Sequence, residues 1–148
     1  MEHVLDTGEY LDTVCGLLRE GRGNIPVPVR GVSMRPFLRT GDTVWLEPIR
    51  GPVKPGDILL FQRPNGQYIL HRVHRRFRDG SFGMLGDSQV AVEPVEADWL
   101  RGRVTHTRCR GRDTAPGSLR WWFYQTPWRW LAPFRRPIGK LHSRLKRR

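Results

Sequence analysis

Residues 31–42 read Gly-Val-Ser-Met-Arg-Pro-Phe-Leu-Arg-Thr-Gly-Asp. We expect the rest of the chain to be organised around this segment. Gly31 permits a close backbone approach that a side chain would block, and Pro36 fixes the chain just beyond Ser33. Met34, Phe37 and Leu38 supply an apolar bed beside the serine. The pattern predicts a rigid turn that holds the Ser33 hydroxyl as a candidate nucleophile, although an ordinary turn serine has the same composition.

Short segments with strand composition surround this loop. Residues 25–29 suit an extended edge segment because they contain two prolines, and further strands are expected at 43–47, 57–62, 67–76, 81–85 and 100–108. Asn65-Gly66 and Asp79-Gly80 are hairpin signals between neighbouring strands. The sequence therefore predicts a mainly β domain, built as a coiled sheet or partial barrel.

An amphipathic helix is expected near the amino end. Asp6 and Glu9 have the spacing of a helix cap, and apolar residues then recur at helical spacing before Gly21, at Leu11, Val14, Leu17 and Leu18. The apolar stripe is expected to pack on the domain, with a partner-binding or substrate-groove role as the alternative. We expect a helix and linker at 1–23, a β domain at 24–110, and a linker and tail at 111–148.

Three further segments follow the serine stretch in order: Lys-Pro-Gly-Asp-Ile-Leu-Leu-Phe at 54–61, Ile-Leu-His-Arg-Val at 69–73 and Leu-Gly-Asp-Ser at 85–88. With residues 31–42, they resemble the sequence boxes of the signal peptidase I and LexA-type serine peptidase superfamily. The resemblance covers roughly residues 29–104. It implies a coiled β fold and a serine endopeptidase that cleaves a leader or signal segment through an acyl-enzyme on Ser33.

A serine hydroxyl needs a base, and His71 is the candidate. Strand alternation puts Ile69, His71 and Val73 on one apolar face, where a histidine is more often a core residue than a catalyst. The resemblance assigns His71 the role of base, because His-Arg-Val falls in the general-base box. Histidine there is similar to the endoplasmic-reticulum and archaeal-like branch. Lys54 lies outside that box, which disfavours a Ser-Lys dyad.

A carboxylate is expected to orient His71, and the sequence leaves its identity open. Asp87 in the Gly-Asp box is the first choice, and Glu93 is the alternative. Oxyanion donors would come from the main chain, the Ser33 N–H above all, since Gly31 stands where some relatives carry a serine. The histidines and cysteines lack zinc-site spacing, so neither a metal nor another cofactor is expected.

The formal net charge of +12 predicts attraction to an anionic surface, either phospholipid or nucleic acid. No apolar run approaches the ~20 residues that span a bilayer, so we expect a cytoplasmic or peripheral protein without signal peptide or transmembrane helix.

The tail from Leu119 onward holds nine Lys or Arg and no acid, with tryptophans at 121, 122, 128 and 130. Ile138, Leu141 and Leu145 share one helical face. This composition favours attachment to an anionic membrane, and packing of residues 121–130 on the β domain is the alternative.

A second class of function also fits the resemblance. The chain would then be a non-catalytic or self-processing regulator of the LexA type that binds nucleic acid. Only 32 residues precede Ser33, too few for a separate helix-turn-helix domain, and the base position holds histidine. A serine endopeptidase with a protein or peptide substrate is therefore the main prediction.

Overall fold

The computed structural model describes residues 7–131 of the chain. Within this range the strands are β1 (Ile25–Pro28), β2 (Thr43–Glu47), β3 (Ile58–Gln62), β4 (Tyr68–Arg76), β5 (Phe82–Leu85), β6 (Glu93–Val95), β7 (Leu100–Cys109) and β8 (Arg112–Thr114). The helices are α1 (Thr7–Arg19), α2 (Leu119–Gln125) and α3 (Pro127–Trp130), and a 3-10 turn spans Ala97–Trp99. The prediction of a mainly β protein with a short N-terminal helix is confirmed.

The strands form one open antiparallel sheet with the order β1-β2-β7-β3-β4-β5-β6, and β8 pairs with β7. The predicted hairpins are present, with Gly66 and Gly80 at φ of 90° in their turns. Two strands were not predicted, β6 and β8. Arg110 and Gly111 adopt positive φ values of 51° and 81°, which turns the chain back and makes a strand of residues predicted to be a linker. The sheet therefore continues past residue 110.

The sheet separates two apolar clusters. Because side chains alternate along a strand, β3 directs Ile58 and Leu60 to one cluster and Leu59 and Phe61 to the other. The first cluster contains the buried residues of α1, the first two strands, the serine loop and α2. The second lies among β3, β4, β5 and β6.

Helix α1 packs on the sheet, as predicted. Leu11, Val14 and Leu18 are buried in the first cluster together with Cys15, while Leu17 is half-buried. Gly102 of β7 lets the helix approach, since a Cβ there would lie 2.9 Å from Leu18. The helix therefore belongs to the same structural unit as the sheet.

Between residues 7 and 131, no helix has the length and apolar character needed to cross a membrane. Asp6 of the predicted cap, and the predicted helical face of Ile138, Leu141 and Leu145, lie outside the described residues.

Candidate active site

The serine loop, residues 31–40, is a series of turns between β1 and β2. Met34, Phe37 and Leu38 are buried beneath it, and Ser33 is half-buried. The loop is closed at its exit by Asp42, whose carboxylate accepts a hydrogen bond from the Arg39 N–H at 2.9 Å. The predicted apolar bed under the serine is thus present.

Gly31 is needed for a different reason from the one predicted. A Cβ built at this position would have no atom within 4 Å, so the expected close backbone approach is wrong. Its φ of 93° lies in the left-handed region, which glycine adopts without strain.

A close backbone approach occurs instead at Gly86, just after β5. A Cβ on Gly86 would lie 2.5 Å from the carbonyl oxygen of Ser33. That same oxygen accepts hydrogen bonds from the N–H and the hydroxyl of Ser88, both at 2.9 Å. The Gly-Asp segment therefore holds the backbone of the candidate nucleophile directly.

His71 lies on β4 beside this contact. Strands β4 and β5 pair Arg72 with Leu85 at the end of their register, and His71 and Gly86 are the next residues on the two strands. The contact between Ser33 and Gly86 therefore lies near the end of β4 that carries His71. In the part of the chain that the structure describes, no hydrogen bond joins the Ser33 hydroxyl to His71. Catalytic hydrogen bonds are often long before substrate binds.

The imidazole of His71 is buried, with 3% of the residue exposed, and its ring meets Phe61 edge-on at 5.9 Å. Burial lowers the pKa of His71 to about 4, while the nearby Glu93 carboxylate opposes this shift and Arg63 adds to it. Its Nδ1 atom has no hydrogen-bond partner. His71 is therefore neutral at pH 7, the state in which an imidazole accepts a proton.

Glu93 shares the sheet face of His71. It pairs with Met84 across β5 and β6, and Met84 pairs with Val73, two residues beyond His71 on β4. Arg63 donates to both carboxylate oxygens of Glu93 through its Nε, at 2.9 Å, and its Nη2. The hydrogen bonds from Arg63 lower the pKa of Glu93, so this carboxylate is charged beside the histidine.

Asp87, the first choice for the third catalytic residue, binds an arginine instead. Arg72 donates to its two carboxylate oxygens at 2.8 and 3.0 Å, and both residues are almost fully buried. Arg72 also donates to the Gly56 carbonyl at 2.9 Å. The pair joins β4, the turn before β3 and the Gly-Asp segment. Because neighbours on a strand point to opposite faces, Arg72 and His71 diverge.

Sequence reasoning missed the role of Arg72. The alternation of side chains along a strand predicted that Arg72 lies on the less apolar face of β4, where an arginine is normally exposed to solvent. The one sequence signal was its place in the His-Arg-Val segment, next to the candidate base.

Main-chain donors for an oxyanion are present in the serine loop. The N–H groups of Ser33 and Met34 donate to no other group within residues 7–131. Lys54 is exposed in the turn before β3, and its main-chain N–H donates to the Asp57 carboxylate.

Among the described residues, no group of three or more His, Cys, Asp or Glu side chains is arranged to hold a metal ion. Cys15 and Cys109 are buried and free. Comparison of the chain with protein families, with curated proteins and with solved structures gave no match.

Proposed function

We propose that this protein is a serine endopeptidase that cleaves a leader or signal segment from a protein or peptide, in the manner implied by its resemblance to signal peptidase I. One observation carries the proposal. The Ser33 carbonyl contacts Gly86 and Ser88, and this contact brings the serine loop to the strand end beside His71. The serine loop and the Gly-Asp segment, which are separate in the sequence, are thereby joined next to the strand that carries His71.

The chemistry assigned to these groups is acyl transfer. His71 takes the proton of Ser33 as the hydroxyl oxygen attacks the substrate carbonyl, and the free N–H groups of Ser33 and Met34 stabilise the oxyanion. The proton then passes to the leaving amine. Water, deprotonated by His71, releases the acyl group from Ser33.

We assign Glu93 the role of stabilising the protonated imidazole of His71. Asp87 has a structural role, since it binds Arg72. The charge of Glu93 favours the protonated form of His71, which exists only during the reaction. Asp87 is bound by Arg72, whose side chain lies on the sheet face opposite His71.

The exposed rim of the site suits an extended peptide with apolar side chains. Val32, next to the nucleophile, is 59% exposed, and Val90 and Val92 follow the Gly-Asp segment and are also exposed. Isolated apolar residues on a surface are common, but these three flank the two segments that contact each other.

Cleavage of a mixed pool of leader-type peptides tests the proposal. We expect the wild-type chain to cleave peptides in the pool, as detected by mass spectrometry. The rate of cleavage should fall at least about a thousandfold in Ser33→Ala and in His71→Ala. His106→Ala is the matched control, since His106 lies on β7 beside Trp45 and should leave activity unchanged. Cleavage that persists in Ser33→Ala would overturn the proposal and favour the regulatory, nucleic-acid-binding alternative.

We also propose that the protein works at the surface of an anionic membrane. Its support is a set of exposed apolar residues on α2, α3 and their ends, namely Leu119, Trp122, Phe123, Trp130 and Leu131. The eight basic residues that follow Arg120 in the sequence would meet phospholipid headgroups. Trp121 is buried in the first cluster, so the tryptophans of this segment divide between the domain and the solvent.

Co-sedimentation with vesicles of phosphatidylcholine and phosphatidylserine tests the membrane proposal. We expect Trp122→Ser combined with Trp130→Ser, and separately removal of residues 132–148, to weaken binding. Val90→Ser combined with Val92→Ser is the control for loss of exposed apolar area elsewhere. Undiminished binding by both test variants would contradict the proposal.

A further inference from the structure

Helices α2 and α3, with their ends, form a segment at 119–131 that we call the C-terminal clasp. Its inner face contacts the serine loop through Arg120. The Nη2 atom of Arg120 donates to the Phe37 carbonyl at 2.8 Å and lies 3.5 Å from the Pro36 carbonyl. The guanidinium also lies over the Phe37 ring, 5.3 Å from its centroid. Arg120 thus fixes the backbone of the loop four residues after Ser33.

The C-terminal clasp packs against Phe37. Phe37 is fully buried, and two aromatic rings of α2 pack on it, Trp121 at 5.5 Å and Tyr124 at 5.0 Å between centroids. Arg72 of β4 lies over the same ring at 5.1 Å. The buried ion pair and the clasp therefore hold the serine loop together.

The clasp also contacts the second candidate segment, through Trp128. Its indole N–H donates to the main-chain carbonyl of Asp87 at 2.8 Å. The next residue, Ser88, supplies both hydrogen bonds to the Ser33 carbonyl. Trp128 is itself packed on Tyr124, at 5.9 Å between ring centroids. The clasp therefore binds both sides of the contact that positions the nucleophile.

We propose that Arg120 and Trp128 are positioning residues, which hold the serine loop and the Gly-Asp segment in the relative arrangement that acyl transfer requires. Their part in catalysis rests on the proposed function. The two side chains donate to main-chain carbonyls, so they restrain the loops without touching the reacting groups. Loops without regular structure open more readily than strands, and a misplacement of about 1 Å can cost about a hundredfold in rate.

Amide hydrogen exchange tests the positioning role without any substrate. Trp128→Phe keeps an aromatic ring and removes the N–H donor, and Trp130→Phe makes the same change at a residue that is 65% exposed. We expect Trp128→Phe to speed exchange of the Ser88 N–H by about fivefold to tenfold, and Trp130→Phe to leave it unchanged. Equal exchange in the two variants would overturn the role of Trp128.

Cleavage kinetics provide a readout that a merely structural role would not move. For a peptide that wild type cleaves, we expect Trp128→Phe to lower kcat about tenfold with KM within about twofold. Arg120→Lys keeps the charge but loses the planar fork, and we expect the same effect. Arg112→Lys, on β8 and exposed, is its control. Urea midpoints show that each variant is folded.

The two proposals fail in distinguishable ways. If wild type cleaves no peptide, the proposed function fails, and hydrogen exchange alone decides whether the clasp restrains the loops. If wild type cleaves while Trp128→Phe and Arg120→Lys match their controls in exchange and in kcat, the clasp proposal is overturned and the peptidase stands.

Discussion

Replacement of Gly86 by alanine perturbs the contact on which the proposed active site depends. The new Cβ would lie 2.5 Å from the Ser33 carbonyl oxygen and 3.0 Å from Oε1 of Gln89. The glutamine side chain can rotate away, but the carbonyl belongs to the backbone. The Ser33 peptide must therefore shift by about half an ångström or more, and both hydrogen bonds from Ser88 lengthen.

The expected cost follows from these contacts. Insertion of one extra carbon into a packed site typically costs about 1–3 kcal/mol of stability. We expect the free energy of unfolding of Gly86→Ala to fall by about that amount, measured by urea denaturation. Because the nucleophile moves, kcat for a cleaved leader peptide should fall by at least about tenfold.

Gly16→Ala is the matched control. Gly16 lies inside α1, and a Cβ there would have no atom within 4 Å. Alanine in a helix interior is favoured over glycine by about 1 kcal/mol, so this variant should be slightly more stable than wild type, with unchanged kcat. If Gly86→Ala were as stable and as active as Gly16→Ala, the inferred contact between the serine loop and the end of β5 would be refuted.

Three further predictions concern the charged groups of the site. His71 has a pKa of about 4 in the folded protein, against an ordinary value of 6.5. The free energy of unfolding is therefore unaffected by this group above pH 6.5 and falls as the pH drops below that value. At pH 5 the loss is about 2 kcal/mol, and urea denaturation should show it in wild type but not in His71→Gln. Asp87→Asn leaves the charge of Arg72 buried and unpaired, so we expect a loss of about 3–5 kcal/mol of stability; an unchanged urea midpoint would contradict the buried pair. Glu93→Gln removes the charge of a partly buried pair and should cost about 1 kcal/mol, yet lower kcat; unchanged kcat would exclude Glu93 from the site.

The sequence predicted the elements whose pattern is local. Strand β2 has the predicted bounds, because Val44 and Leu46 alternate with half-buried residues. Helix α1 was predicted from the helical spacing of its apolar residues. Strands β6 and β8 were missed because three residues are too few to show a period. Pro94 also argues against a strand, and it is tolerated here because β6 is at the edge of the sheet.

The site was less predictable than the fold, since its contacts join distant residues. The resemblance singled out the segments around Ser33, His71 and Asp87 as candidates, but it did not predict that Arg72 binds Asp87. Nothing local in a sequence marks an arginine as buried, and an arginine normally lies at the surface. The clasp residues were visible only as a tryptophan-rich tail, whose division into inner and outer faces depends on packing.

The most direct test of the central claim is the reaction of the folded protein with a fluorophosphonate, which reacts much faster with an activated serine hydroxyl than with an ordinary one. We predict one adduct per chain by intact mass, located at Ser33 by peptide mapping, and slowed by at least about a hundredfold in His71→Ala. No adduct on the wild-type chain, or an adduct at another serine that His71→Ala leaves unchanged, would contradict the assignment of Ser33 as a nucleophile activated by His71.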